Sequence, residues 1–181
     1  ESYRFLQSIG FASVKTLFDT DHGVDSEFLE VLDKNLTKII RNTTPPAFIK
    51  DRIINELKNP SNKENACFTP TRNVSIAPNG GLYFCHELVP KMEEDKGKDS
   101  YGNIIDGYVN TNLYYNKMLY RCTFSKFKNN KDCENCPAAF WCKGGCIASH
   151  FHSNGNYEDL NKDLCKINIK LTEVVRREIG A

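Results

Sequence analysis

The stretch "CENCPAAFWCKGGC", residues 133–146, sets four cysteines in fourteen positions, with Pro137 after the second and Gly144-Gly145 before the last. Two intervening residues, as between Cys133 and Cys136, let both thiolates converge on one metal centre while backbone amides point at the sulfurs. The next intervals are five residues to Cys142 and three to Cys146. A tetrahedral zinc site generally pairs two short knuckles of similar length, which this run lacks. Pro137 removes an amide and restricts the chain, and the glycine pair lets backbone approach a bulky inorganic core. Iron–sulfur ligation tolerates unequal intervals and can send one cysteine of a dense run to a neighbouring cluster. Spacing alone favours iron and sulfide and leaves zinc open.

The cysteines of the whole chain are eight, Cys67, Cys85, Cys122, Cys133, Cys136, Cys142, Cys146 and Cys165. An even number raises a disulfide framework. Such scaffolds are typically short, secreted and denser in cysteine, whereas all eight fall after residue 66 of 181 and no export signal opens the chain. Metal is the better reading. Lysine and arginine total 24 against 23 aspartates and glutamates, so no global field draws the protein to nucleic acid or to an anionic membrane. No apolar run has the length that spans a bilayer, and the expectation is a soluble, cytoplasmic protein with no nucleic-acid and no membrane partner. Glu1 stands where a methionine would, and patterned sequence begins at once, as in a piece of a longer polypeptide.

Working outward, residues 1–60 read as alternating strand and helix. "FASVKTLFD" (11–19) predicts a strand. Phe28, Leu29, Val31, Leu32, Leu36, Ile39 and Ile40 recur at helical spacing behind a cap at Asp25 or Ser26. "TTPPAFIKDRIINELKNP" predicts a second helix, with prolines before its first turn and Pro60 after its last. The asparagine-rich "NPSNKENACFTP" marks a boundary. Beyond it, "NVSIAPNGGLYFCHEL" predicts a hairpin that turns at Pro78–Gly81 and delivers Cys85 at the end of its returning strand. "EEDKGKDSYGN" reads as a solvated loop. Residues 111–127 predict a helix apolar on both sides, and residues 159–178 another, with Leu160, Leu164, Ile167, Leu171, Val174 and Val175 on a stripe and Cys165 in its first two turns.

Taken together, Cys67-x12-Gly80-x4-Cys85, a gap, Cys133-x2-Cys136-x5-Cys142-x3-Cys146, a gap, and Cys165 resemble the seven-cysteine motif of the SPASM domain. That domain is the C-terminal extension of radical S-adenosylmethionine enzymes that modify peptides and proteins, and the resemblance covers about residues 67–166. It implies two auxiliary 4Fe-4S clusters. Cys133, Cys136, Cys142 and Cys165 would hold the second, and Cys67, Cys85 and Cys146 the first. Sulfatase-maturating relatives complete the first cluster with a further cysteine where this chain has Asn73. Cys122 could replace it, could be a small buried residue, or could leave an open iron. Those relatives also carry an acidic base after the second cysteine, where this chain has His86 and Glu87. His86 reads as a hydrogen-bonding group beside the cluster, with a base as the alternative, and the departure speaks against sulfatase maturation. His150 and His152 read as surface histidines, with hydrogen-bonding groups beside the cluster as the alternative. Trp141 reads as packing that shields the cluster.

The resemblance implies an α+β fold: residues 1–60 as the last strand and helix elements of a partial (β/α) barrel, and residues 61–181 as a small β-hairpin-plus-helices domain organised around two iron–sulfur clusters. It implies part of an oxidoreductase-like peptide or protein maturase, with a peptide or protein substrate and an electron-donor protein as partners. Such enzymes bind S-adenosylmethionine on a third 4Fe-4S cluster held by C-x3-C-x2-C. No such triplet occurs here: after Cys142-x3-Cys146, Ser149 stands where the third cysteine would be. S-adenosylmethionine and that cluster are therefore expected in a preceding part, and these residues alone should be inactive, with catalytic groups elsewhere. A zinc-stapled cysteine-rich binding module without redox activity is the alternative, and a disulfide-linked interaction domain the third reading.

Overall fold

The computed structural model describes residues 23–42, 49–60, 74–89, 100–113 and 130–180. The strand expected over 11–19, Cys67, Asn73, Cys122 and most of the helix expected over 111–127 lie outside them. The fold is α+β, helices with two-stranded antiparallel hairpins. The chain divides into two compact units: Glu1–Asn62 with Asn135–Cys142 and Lys162–Ala181, and Lys63–Glu134 with Lys143–Asn161. Within the first unit the C-terminal helix buries its apolar stripe against the first of the described helices.

In the first unit, α1 (Ser26–Asn42) starts where the Phe28 amide donates to Asp25 Oδ1 at 2.8 Å, satisfying one of the open donors of the first turn. Asp25, rather than Ser26, is the cap. Leu36 is buried, and Phe28, Leu29, Leu32 and Ile40 pack beside it. Val31, expected on that stripe, is 52% exposed, since an i, i+4 row through Leu32, Leu36 and Ile40 turns it about 100° away. A wide π-helical turn, Ile49–Ile54, buries Ile49 and Ile53 one turn apart. It runs into α2 (Asn55–Lys58), which ends just before Pro60.

Helix α6 (Lys162–Ile179) contributes Ile167, Leu171, Val174 and Val175, spaced i, i+4, i+7 and i+8 and all at most 1% exposed. Leu160, expected on this helix, is buried but precedes it. Each such side chain gains roughly 1.5–3 kcal/mol by leaving water. At the rim of the α1–α6 contact, Arg177 reaches Asp33 through two bonds of 3.1 and 2.7 Å, and Arg41 reaches Glu178 at 2.5 and 3.1 Å. The Arg177 hydrogen bond holds the Asp33 carboxyl below its usual range, and the Arg41 hydrogen bond does the same for Glu178.

In the second unit, β1 (Ser75–Ile76) pairs with β2 (Leu82–Tyr83), Ser75 opposite Tyr83 and Ile76 opposite Leu82. The expected turn lies between them, with Gly80 at φ +84° and the Gly81 amide on Asn79 Oδ1 at 3.0 Å. A second hairpin, β3 (Gly102–Asn103) and β4 (Tyr108–Val109), turns through Asp106-Gly107 and is bridged to the first at Gly81 and Asn103. It corrects the solvated-loop expectation at its C-terminal end: Tyr101 is 3% exposed and packs against Phe84 with the rings tilted, centroids 4.7 Å apart. Alternation along the returning strand splits its side chains between two small cores. Leu82 and Phe84 join Tyr101, whereas Tyr83 joins Ala77, Leu88 and Ala148. Among the described residues no helix is long and apolar enough to cross a membrane.

Two outcomes follow. The depressed carboxyls of Asp33 and Glu178 contribute stability that is present above the ordinary carboxylate range and lost as pH falls through their folded values. The thermal midpoint followed by circular dichroism should drop as pH falls below about 4, and Asp33→Asn should flatten part of that slope. Separately, a Cβ on Gly80 would stand 2.5 Å from Asn103 Oδ1 and 2.7 Å from Ile105 Cγ1, on a backbone that disfavours side chains. Gly80→Ala should cost about 1–3 kcal/mol in urea unfolding.

Candidate functional site

The four-cysteine run is shared between the two units. Cys136 and Cys142 belong to the first, with Cys165, and Cys133 and Cys146 belong to the second, with Cys85. Cys133 is buried on the single turn α3 (Lys131–Glu134), which Asn130 opens by accepting the Asp132 amide on Oδ1 at 2.9 Å. Cys136, Cys142 and Cys165 are half-buried, and Cys146 is exposed.

In the first unit the carbonyl of Cys136 accepts the Ala139 amide at 3.0 Å, and α4 (Ala139–Cys142) follows. The restriction of Pro137 falls inside this tight turn, where its missing N–H costs nothing. Trp141 is 5% exposed and lies in the apolar core with Ile167, Leu171 and Val175, so its packing role is met by the core itself. Its indole N–H donates to Thr172 Oγ1 at 2.8 Å. Asn168, 8% exposed, donates from Nδ2 to Cys142 Sγ at 3.3 Å. Cys165 is the fourth residue of α6, three before Asn168 and hence on the same side of the helix. Asn168 escaped the sequence reading because an asparagine between apolar stripe positions carries no signal until its partner is known.

In the second unit Lys143, Gly144 and Gly145 follow one another at φ +53°, +87° and +80°. Only glycine adopts such angles freely, which accounts for the pair, and Lys143 carries the strain. Cys146 then leads into α5 (Ile147–Asn154), its carbonyl accepting the His150 amide at 3.0 Å. His150 is not a surface residue: it is 1% exposed. Its Nδ1 accepts the Asn161 amide at 2.9 Å, which places the ring proton on Nε2, and Nε2–H donates to the Gly144 carbonyl at 2.7 Å. A buried neutral imidazole thus ties the glycine turn to the far end of the same unit. His152 is half-buried and donates from Nε2 to the Glu87 carbonyl. These partners lie six to 65 positions away in the chain, so neither histidine could be assigned from its neighbours.

Cys85 is extended, at φ −146° and ψ 139°, and its carbonyl takes the Leu88 amide at 3.1 Å at the short 3-10 turn His86–Leu88. It packs beside Tyr83, Leu88 and Ala148, so the hairpin end that carries Cys85 and the helix that Cys146 begins share one small core. His86 lies on the surface, its side chain 79% exposed and 2.9 Å from Glu87 Oε1. Among the described residues, no group of three or more histidine, cysteine, aspartate or glutamate side chains could hold a metal ion. A shallow cleft of about 420 Å³ opens beside Ser26, Leu29, Asp33 and Lys170 and contains no cysteine.

No protein-family model and no curated protein matches the chain. The candidate site therefore rests on its own residues. In the first unit Cys136 and Cys142 lie half-buried at the edge of the apolar core, and Cys142 Sγ receives the Asn168 amide N–H.

His150→Leu should leave the Asn161 amide and the Gly144 carbonyl without their partner inside the unit. We expect about 2–4 kcal/mol of lost stability in urea unfolding, against about 1 kcal/mol for His152→Leu.

Proposed function

We propose that the chain is the auxiliary-cluster portion of a radical S-adenosylmethionine enzyme that modifies a peptide or protein, and that it carries two auxiliary 4Fe-4S clusters. The observation that carries this reading is the spacing of seven cysteines about the glycine of the hairpin, Cys67, Cys85, Cys133, Cys136, Cys142, Cys146 and Cys165 around Gly80. Cys133, Cys136, Cys142 and Cys165 would hold one cluster, and Cys67, Cys85 and Cys146, with Cys122 as a further candidate, the other. Such clusters, when bound, supply one-electron transfer at low potential. S-adenosylmethionine and its own cluster would be supplied by a C-x3-C-x2-C segment outside these residues, in a barrel of which residues 1–60 are the closing elements.

The protein's own groups have definable tasks in this reading. Trp141 and the apolar side chains around it pack against Cys136 and Cys142. The Asn168 amide orients the Cys142 sulfur. His150 holds the backbone of the turn that precedes Cys146. His86, exposed and 2.9 Å from Glu87 Oε1, would be a hydrogen-bonding group beside the cluster, with a base as the alternative.

Anaerobic reconstitution followed by iron and acid-labile sulfide analysis tests the proposal. It expects a brown protein with about eight irons and about eight sulfides per chain, and Cys142→Ala should lose about half of each. A colourless protein that folds with zinc, contains no sulfide and melts on chelation would establish the zinc-stapled module instead.

A further inference from the structure

Three places in the chain set an asparagine or aspartate before glycine, Asn79-Gly80, Asp106-Gly107 and Asn154-Gly155, and all three lie in the second unit. Such a pair carries a reaction of its own: the glycine nitrogen attacks the side-chain carbonyl carbon of the preceding residue and closes a five-membered succinimide. Glycine favours it, because no Cβ crowds the approach and the backbone turns freely. A glycine amide already engaged as a donor must first break its hydrogen bond, and that cost adds to the barrier. The three sites differ in this respect. The Gly80 amide donates to the Ala77 carbonyl at 2.8 Å, and Asn79 Oδ1 accepts the Gly81 amide at 3.0 Å. The Gly155 amide donates to the Phe151 carbonyl at 2.8 Å, and Asn154 Nδ2 donates to the Asp159 carbonyl at 2.9 Å. Among the described residues, neither the Gly107 amide nor the Asp106 carboxyl has a hydrogen-bond partner. Both residues are exposed, Gly107 stands at φ +64°, and no neighbouring atom lies within 4 Å of the place a Cβ on it would take.

We propose that Asp106-Gly107 is a self-modification site, at which Asp106 isomerises to isoaspartate with water as the only co-reactant, while the fold shields the two Asn-Gly pairs. The Gly107 nitrogen bonds to Asp106 Cγ as a Cγ–O bond breaks, and the departing oxygen leaves as water with the amide proton and the carboxyl proton. A second water opens the ring. Cleavage at Cγ restores aspartate, and cleavage at the main-chain carbonyl leaves the chain running through the former side chain, one carbon longer. No electrons are exchanged and the mass is unchanged. The position gives the change a structural effect. Asn103 Oδ1 accepts the Ile105 and Asp106 amides at 2.8 and 3.2 Å, and Asn103 Nδ2 donates to the Asn79 carbonyl at 2.9 Å, tying the second hairpin to the first. An extra carbon between Asn103 and Tyr108, which pair across this turn, loosens that tie.

The test incubates the full chain at neutral pH and physiological temperature, folded and in guanidinium chloride, where all three sites lose their hydrogen bonds. Peptide mapping separates isoaspartyl from aspartyl peptides by retention, electron-transfer fragmentation locates the isoaspartyl link, and deamidation at Asn79 and Asn154 is read as a mass gain of one dalton. The expected result is one rate at Asp106 whether the chain is folded or unfolded, against rates at Asn79 and Asn154 that fall about fivefold or more on folding. Asp106→Asn makes the site a third Asn-Gly pair, identical in dipeptide chemistry to the other two. In the folded protein it deamidates faster than either of them, and Gly107→Ala loses most of the isoaspartyl product. Chain isolated with isoaspartate at position 106 has a lower thermal midpoint than unmodified chain. Folding that slows Asp106 as much as it slows Asn79 and Asn154 overturns the proposal. So does deamidation in folded Asp106→Asn that is no faster at position 106 than at Asn79 or Asn154.

Discussion

One stripe on the C-terminal helix, Ile167, Leu171, Val174 and Val175, has to be kept from water, and the first unit is arranged around that demand. Leu36 with its neighbours on α1, Ile49 and Ile53 of the wide turn, and Ala138 and Trp141 of the cysteine run all close over it. None of these segments could stand alone: α2 and α4 are four residues long, far below the length at which a helix is stable in water. Their conformations are set by what they cover. The ion pairs of Arg177 and Arg41 lie at the rim of this contact and orient α1 against α6, while burial supplies most of the energy.

The same demand fixes where the cysteines go. Because Trp141 is drawn into the core, Cys142 beside it is held at the core's edge, within reach of Asn168. The second unit resumes with three successive left-handed residues, Lys143 to Gly145. There a separate constraint takes over, the buried imidazole of His150 holding the Gly144 carbonyl and the Asn161 amide. Fourteen residues of sequence thus serve two folding demands. That is the physical content of the irregular five- and three-residue intervals.

Residues whose reading depends on near neighbours in the chain were legible. The Asp25 cap lies three residues from its amide, the Gly80 turn closes over a few positions, and the α6 stripe repeats every turn. The β3–β4 hairpin carried its own signal in Asp106-Gly107 but was obscured by the charged run before it. Tyr101 became a core residue because Phe84 offered it a partner from 17 positions away. Val31 failed as a stripe residue since a mixed apolar pattern fits more than one helical face, and only the packing partner selects among them. His150, read as a surface residue, was misplaced for a related reason. Its burial depends on a donor and an acceptor in other turns, the Asn161 amide and the Gly144 carbonyl.

The sequence by itself determined the hairpin turn, the helical stripe and the intervals between the thiols, because each depends on residues close enough along the chain to constrain one another directly. Only the tertiary structure decided that the cysteine run divides after Cys142, that Asn168 faces its sulfur and that His150 is buried. Each of these is a contact between distant segments, and its free energy exists only once the apolar surfaces that bring the segments together have left water.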